Sequence, residues 1–315
     1  MKIAVFGGSR FTGAALINEL FQNYPIDTIH ILNRGVSKDA IDFGQWPGKI
    51  VKHAVDRKII NAFSEEVNKI AADNIDAVID FSGYTKEQII PAIKAFSKKI
   101  KHYIFISTGS VYGNLKQLPA SELHPLDNTE QNCQYGRDKI ECENELLKAH
   151  KNGDFNVTIF RPTYIYGPND YTMRFFYFID RIHKGSPVLI PAERDFIFNA
   201  VYVNDLAKQI RLGLFNSSFY GEAFNAAAGE SIKFSELLNL TGKALSKEVN
   251  IKYVSAGEFE KMSPDAAFPY DTGDLDFDCS KMKATLGKTK FPFTPYENAV
   301  RETVQWHFDR RDIIR

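Results

Sequence analysis

Short apolar runs alternate with longer amphipathic stretches through the first half of the chain. The runs are KIAVF (2–6), TIHIL (28–32), KIVKHAV (49–55), DAVIDF (76–81), HYIFIS (102–107) and NVTIF (156–160). Strands that are apolar almost throughout, separated by helix-length segments, mark a parallel sheet covered on both faces, because neither face needs polar side chains for water. The rhythm predicts a doubly wound, Rossmann-type α/β domain over residues 1–165. After FRPTYIYGP (160–168) it breaks, and helices are predicted near 172–184, 204–215, 234–246 and 295–310, among shorter strands. Residues 166–315 are thus expected to form mainly a smaller α+β substrate lobe, although later segments of such folds often return to the sheet. Phe175, Phe176, Phe178, Ile179 and Ile182 share one helical stripe and are expected in its core.

Composition narrows the function. Thirty-nine basic residues balance 39 acidic ones in 315 residues, so no global field draws the chain to nucleic acid or an anionic membrane. Three cysteines, Cys133, Cys142 and Cys279, are odd in number and lack zinc spacing, which points to a reducing cytoplasm and no metal. The opening MKIAVFGG is too short for a signal peptide, and no run approaches the roughly 18–20 apolar residues of a membrane span. Asp271, Asp274, Asp276 and Asp278 lack the glycine and glutamate of an EF-hand; Asp278 reads instead as the N-cap of a helix that Gly287 ends. His102 and His124 are expected at the surface or at caps.

Candidate chemistry starts at Gly7-Gly8-Ser9-Arg10-Phe11-Thr12-Gly13, between the first strand and the helical AALINELFQNY. Glycines at a strand-to-helix turn give a pyrophosphate close backbone approach, N–H donors and the positive end of a helix dipole. Arg10 stands where the usual pattern has its middle glycine. At the end of the second strand, where an acidic residue would bind the 2′-hydroxyl of NAD, the chain reads Leu32-Asn33-Arg34-Gly35. Arg34, with Arg10 as a second cation, tilts the expected cofactor to NADP; the alternative is a solvated loop charge. Asp56 is either an acceptor for the adenine amino group or a helix N-cap. Ser82-Gly83 is either backbone passing close to the cofactor or a plain turn.

The segments HYIFISTGSVYG (102–113) and QYGRDK (134–139) carry the candidate catalysis. The first places Ser107-Thr108 at the carboxyl end of a strand, where open α/β sheets bind ligands. In the second, Tyr135 and Lys139 are four apart on one helix face. A lysine cation favours a phenolate and lowers its pKa from about 10 toward neutrality. Tyr135 would then be the general acid–base for a substrate hydroxyl or carbonyl, with Thr108 bonding the same oxygen. Ser110, Tyr171 and Arg174 are candidate substrate contacts, Arg174 meeting an anion.

GGSRFTG, STGSVYG, YGRDK and FRPTYIYGP, in that order and at these intervals, resemble the extended and atypical short-chain dehydrogenase/reductases, the NAD-dependent epimerase/dehydratase family. The resemblance implies that Tyr135 is the catalytic tyrosine, Lys139 the lysine that also holds the nicotinamide ribose, and Thr108 their Ser/Thr partner. It implies a phosphate turn of Gly7, Gly8, Ser9, Arg10, Phe11 and Gly13, backbone beside the nicotinamide at Pro162 and Thr163, and pairing into a homodimer. The GGSRF turn, NRG and VDR are similar to the atypical branch that includes chloroplast stem-loop RNA-binding proteins. Some members of that branch have lost the tyrosine and lysine; this chain keeps both, which favours an enzyme.

Two departures bear on the substrate. Nucleotide-sugar epimerases commonly place an Arg-Asp-aromatic segment seven residues before the Asp of V-x-D-L-A, which here is Val203-Asn204-Asp205-Leu206-Ala207. That position is Phe198, and Arg194-Asp195-Phe196 lies four residues earlier. Dehydratases of the family usually follow the threonine with Asp-Glu, replaced here by Gly109 and Ser110, so dehydration ranks below epimerisation or reduction. The leading expectation is an NAD(P)-dependent epimerase or reductase acting on a hydroxyl or carbonyl carbon of a sugar or nucleotide sugar. The alternatives are a non-redox RNA-binding protein, disfavoured by the neutral charge, and a dinucleotide sensor.

Overall fold

Seven strands, β1 (Lys2–Phe6), β2 (Thr28–Asn33), β3 (Ile50–Ala54), β4 (Ala77–Asp80), β5 (His102–Ile106), β6 (Asn156–Pro162) and β7 (Glu222–Ala226), form one parallel sheet. Their order is β7-β6-β5-β4-β1-β2-β3. The computed structural model describes residues 1–36, 43–113, 115, 117–262, 268–287 and 289–313. β1 lies between β2 and β4, with Ile3 opposite both Ile29 and Ala77, so the strand order reverses there and opens a crevice at the carboxyl ends. β4 and β5 are buried throughout, whereas β3 exposes Val51 and Lys52 as the edge strand.

Helices cover both faces, which explains the unbroken apolar character of the central strands. α1 (Phe11–Asn23) and α6 (Val203–Gly213) pack together on one face over Ile3, Val5, Ile29 and Ile31. α2 (Ile60–Ala71), α3 (Lys86–Phe96) and α4 (Gln134–Lys151) pack side by side on the other over Ala4, Phe6, Tyr103 and Phe105. The second lobe contains α5 (Arg174–His183), α7 (Phe234–Leu245), α8 (Ala256–Met262) and α10 (Tyr296–Ile313), while α9 (Ser280–Leu286) packs back on β7 of the sheet through Met282 and Leu286. The stripe Phe175, Phe176, Phe178, Ile179 and Ile182 is buried in the second lobe among Phe196, Phe198, Phe234 and Tyr270. The chain does not stay in that lobe after residue 165: β7 returns and pairs with β6, Phe224 opposite Phe160.

Several local expectations need correction. His102 is fully buried, not a surface or cap residue: Nε2 bonds Thr158 Oγ1 at 2.9 Å and Nδ1 accepts from Phe215 N at 3.1 Å. Burial pushes its pKa down to about 3, so the ring is neutral and ties β5 to β6. His124 is half-buried with its ring edge-on to Tyr112. Asp278 sits one residue before the α9 N-cap, Cys279, but its Oδ1 still accepts from Ser280 N at 2.8 Å; Gly287 closes the helix. All three cysteines are unbridged, with Cys142 and Cys279 buried. Among the described residues, no helix is long and apolar enough to cross a membrane.

Candidate active site

The carboxyl ends of β1, β2, β4, β5 and β6 open into a cleft of about 1180 Å³ beneath the second lobe. That exceeds the roughly 300–1,000 Å³ usual for one small ligand. At one end, Gly7 has φ +89°, and a Cβ on Gly13 would stand 2.6 Å from Gly7 O. The two glycines thus let α1 start directly against the turn, leaving its first N–H groups facing the cleft. Arg10 precedes α1, and its guanidinium carbon lies 3.7 Å from the centre of the Tyr171 ring.

Asn33 lines the cleft at the end of β2. Its Nδ2 donates to Ser9 Oγ at 2.9 Å and its Oδ1 accepts from Gly35 N at 2.7 Å, which moors the phosphate turn to the end of β2. Arg34 is exposed at the cleft margin. Asp56 also lines the cleft, but it is not the N-cap of α2. It closes the turn ahead of that helix, with Oδ1 accepting from Lys58 N and its carbonyl from Ile59 N.

The residue after it, Arg57, carries a role the sequence reading missed. Buried beneath the cleft, it makes a bidentate pair with Asp80 at 2.6 and 2.8 Å and donates twice to Gln88 O. Asp80 also accepts from Ser82 N, Gly83 N and Tyr103 Oη. Burial opposes the Asp80 carboxylate, but Arg57 and these donors hold its pKa below the usual range. The signal was a carboxylate ending an otherwise apolar strand, DAVID, which demands a buried cation.

At the other end, α4 brings Tyr135 and Lys139 to the tip of β5. Gly136 allows this approach, since a Cβ there would stand 2.4 Å from Ser110 O. Asn132 Nδ2 pins the same carbonyl at 3.0 Å. The Thr108 hydroxyl donates to Ser110 Oγ and accepts from Ser110 N, both at 3.2 Å, and lines the same cleft as the Tyr135 phenol. Lys139 is buried, with Nζ donating to Ile106 O at 2.8 Å and lying 4.5 Å from the Phe105 ring centre, 5.3 Å from that of Tyr84 and 5.9 Å from that of Tyr135.

The phenol is not brought toward neutrality. Tyr135 is 42% exposed because its ring edges the open cleft, yet the surrounding protein pushes its pKa up to about 12, and Tyr84 adds to the rise. Burial lowers Lys139 to about 8, and its ammonium is engaged by a strand-end carbonyl rather than by the phenol. Tyr84, the next residue after Ser82-Gly83, forms an aromatic wall that sequence reasoning did not single out.

The second lobe contributes Tyr171, Thr172 and Arg174 to the lining, with Arg174 exposed over the Tyr164 ring. Ser110 lines the cleft as well. Arg194 pairs with Asp274 at 2.7 Å near the surface and does not line the cleft, while Phe198 lies in the aromatic core. Two buried hydroxyl oxygens among the lining residues, Ser107 Oγ and Thr163 Oγ1, have no partner among the described residues. Together with the glycine cradle, these unmet groups at the tips of β5 and β6 fit a dinucleotide.

Comparison with known proteins gives the same frame. The chain is 28% identical over 295 residues to the chloroplast stem-loop binding protein of 41 kDa b of Arabidopsis thaliana, covering 91% of this chain and 74% of the relative. It is 26% identical over 200 residues to the UDP-glucose 4-epimerase of Vibrio cholerae, 62% of this chain and 60% of the relative. Among solved structures, dTDP-glucose 4,6-dehydratase of Bacillus anthracis in complex with NAD superposes with a TM-score of 0.77 at 20% identity, covering 99% of this chain and 98% of the other. At that identity the likeness speaks for the fold. The sequence model of the NAD dependent epimerase/dehydratase family matches residues 3–227, and the chain belongs to that family.

Proposed function

We propose that this protein interconverts hydroxyl and carbonyl groups at a carbon of a sugar or nucleotide sugar, as a dinucleotide-dependent epimerase or reductase. The observation that carries the proposal is the meeting of Tyr135, Thr108 and Lys139 in one cleft with a glycine turn at its far end. The family and the epimerases among its relatives support a sugar-based substrate. In this reading Gly7, Gly8, Ser9, Arg10, Phe11 and Gly13 hold the pyrophosphate, Arg34 the 2′-phosphate of NADP, and Ser82-Gly83 the backbone between them. Lys139 holds the nicotinamide ribose, with Pro162 and Thr163 beside the ring; when bound, the nicotinamide supplies or accepts hydride. Tyr135, protonated at neutral pH, gives its Oη proton to the substrate oxygen as a carbonyl is reduced and takes it back in the reverse direction. Thr108 Oγ1 fixes that oxygen. Ser110 and Arg174 contact the substrate, and a cytoplasmic homodimer completes the proposal.

Titration with NADPH and NADH, followed by a screen of carbonyl compounds, free sugars and UDP-sugars, tests it. Tyr135→Phe should bind dinucleotide within about twofold of wild type and lose turnover by roughly 10²–10⁴-fold; retained turnover removes Tyr135 from the reaction. Tight binding without turnover on any substrate indicates a sensor. The relative matched over 91% of this chain favours stem-loop RNA binding as a second reading. RNA binding without dinucleotide binding would replace the enzyme.

A further inference from the structure

Tyr171 reaches from the second lobe to Arg10, the residue that opens α1. The guanidinium carbon lies 3.7 Å from the ring centre, and the Phe11 ring meets the same tyrosine edge-on at 6.4 Å. The backbone that delivers Tyr171 has a defined shape, with left-handed residues at Asn169 (φ 65°) and Met173 (φ 59°) on either side. Between them, buried Asp170 accepts from both Thr172 N and Thr172 Oγ1. A guanidinium can rest its flat face on a ring while its N–H edge meets an anion, so stacking on Tyr171 is compatible with phosphate binding. The anion for this place is a pyrophosphate, because Arg10 flanks the glycine turn at the start of α1.

We infer that Tyr171 belongs to the dinucleotide site and not to the substrate site, an inference that rests on the dinucleotide reading above. Arg10 and Tyr171 form a clasp that joins the two lobes across the pyrophosphate, the tyrosine fixing the guanidinium and slowing release. Tyr171 is 47% exposed, so its replacement opens no cavity in the core.

Fluorescence titration and stopped-flow release of NADPH and NADH from the full chain test the clasp, using wild type, Tyr171→Leu, Tyr171→Phe, Arg10→Met and the Arg10→Met/Tyr171→Leu double variant. Tyr171→Leu should weaken the better-bound dinucleotide roughly 5- to 30-fold, the size of a partly desolvated cation–π contact, mainly through faster release. Tyr171→Phe should hold wild-type affinity, and the double variant should lose no more than Arg10→Met alone. ADP-ribose, which keeps the pyrophosphate without the nicotinamide, should show the same losses, and AMP none. Wild-type affinity in Tyr171→Leu, multiplying losses in the double variant, or equal losses for AMP would overturn the clasp while leaving the dinucleotide reading intact. Wild-type protein that binds neither dinucleotide overturns that reading and the clasp with it.

Discussion

Replacing Arg57 with methionine removes the cation beneath the nucleotide end of the cleft. Asp80, 0% exposed, would keep Tyr103 Oη, Ser82 N and Gly83 N as donors but lose its counter-charge, and Gln88 O would lose both guanidinium bonds. Breaking a buried pair from one side costs about 3–5 kcal/mol, and the three surviving donors place this case near 3. With an unfolding entropy of about 2.1 cal/mol/K per residue over 315 residues, each kcal/mol corresponds to roughly 1.5 °C, so melting should fall by about 4–5 °C. In the native protein the depressed Asp80 pKa means its contribution is present above the unfolded carboxylate value of about 3.9 and is lost as pH falls through the folded value. Without Arg57 only Tyr103 Oη, Ser82 N and Gly83 N oppose burial, so the folded pKa rises from its wild-type position. Protonation then relieves the variant at a higher pH than wild type, and its deficit shrinks as pH falls. Urea unfolding of both proteins at pH 8 and pH 5.5 should therefore show the larger gap at pH 8, and Asp80→Asn in the variant background should recover part of it. A loss under about 1 kcal/mol, or the same loss at both pH values, refutes the reasoning.

Gly136→Ala should push the start of α4 off Ser110 O: overpacking of about 1–3 kcal/mol is offset in part by roughly 1 kcal/mol of helix propensity. Melting should then change modestly while turnover drops about tenfold or more, and wild-type turnover would show that the approach of α4 is not critical. Arg34→Ala should weaken NADPH about 10- to 100-fold and NADH less than about twofold by fluorescence titration, the loss of a charged contact to a 2′-phosphate; equal losses would place Arg34 outside that site. Because burial brings Lys139 down to about 8, its ammonium is lost as pH rises through 8 and not through the ordinary lysine range. Dinucleotide affinity should decline above that pH in wild type, and the decline should be absent in Lys139→Met.

Six of the seven sheet strands were legible because burial on both faces leaves the central ones mostly apolar, with a few internally paired polar residues such as Asp80, His102 and Thr158. β7 was not: EAFNA is brief, begins exposed and follows a glycine, and only its pairing to β6 makes it a strand. The meeting of Tyr135 and Thr108 was legible from strand-end position and helix spacing. The behaviour of the phenol was not, because spacing places Lys139 near Tyr135 but does not reveal that Ile106 O takes its ammonium. Asp56 reads in the sequence as either an adenine acceptor or a helix N-cap; it lines the cleft, but the helix begins later, after a turn that its carboxylate closes onto Lys58 N. His102 shows the limit of composition: whether a histidine is wet or dry depends on partners distant in sequence, here Thr158 and Phe215.

The return of β7 has a consequence for synthesis. β6 is complete once Pro162 leaves the ribosome, but its partner ends at Ala226. At about 5–20 residues per second, that flank stays open for roughly 3–13 s, with unpaired backbone groups beside Phe160. α1 waits similarly for α6, which arrives with residues 203–213. A nascent chain held at residue 165 should therefore be sticky and protease-sensitive, and expression of the first half by itself should yield aggregates. Slow codons just before β7 would lengthen that exposure; slow codons after it would not.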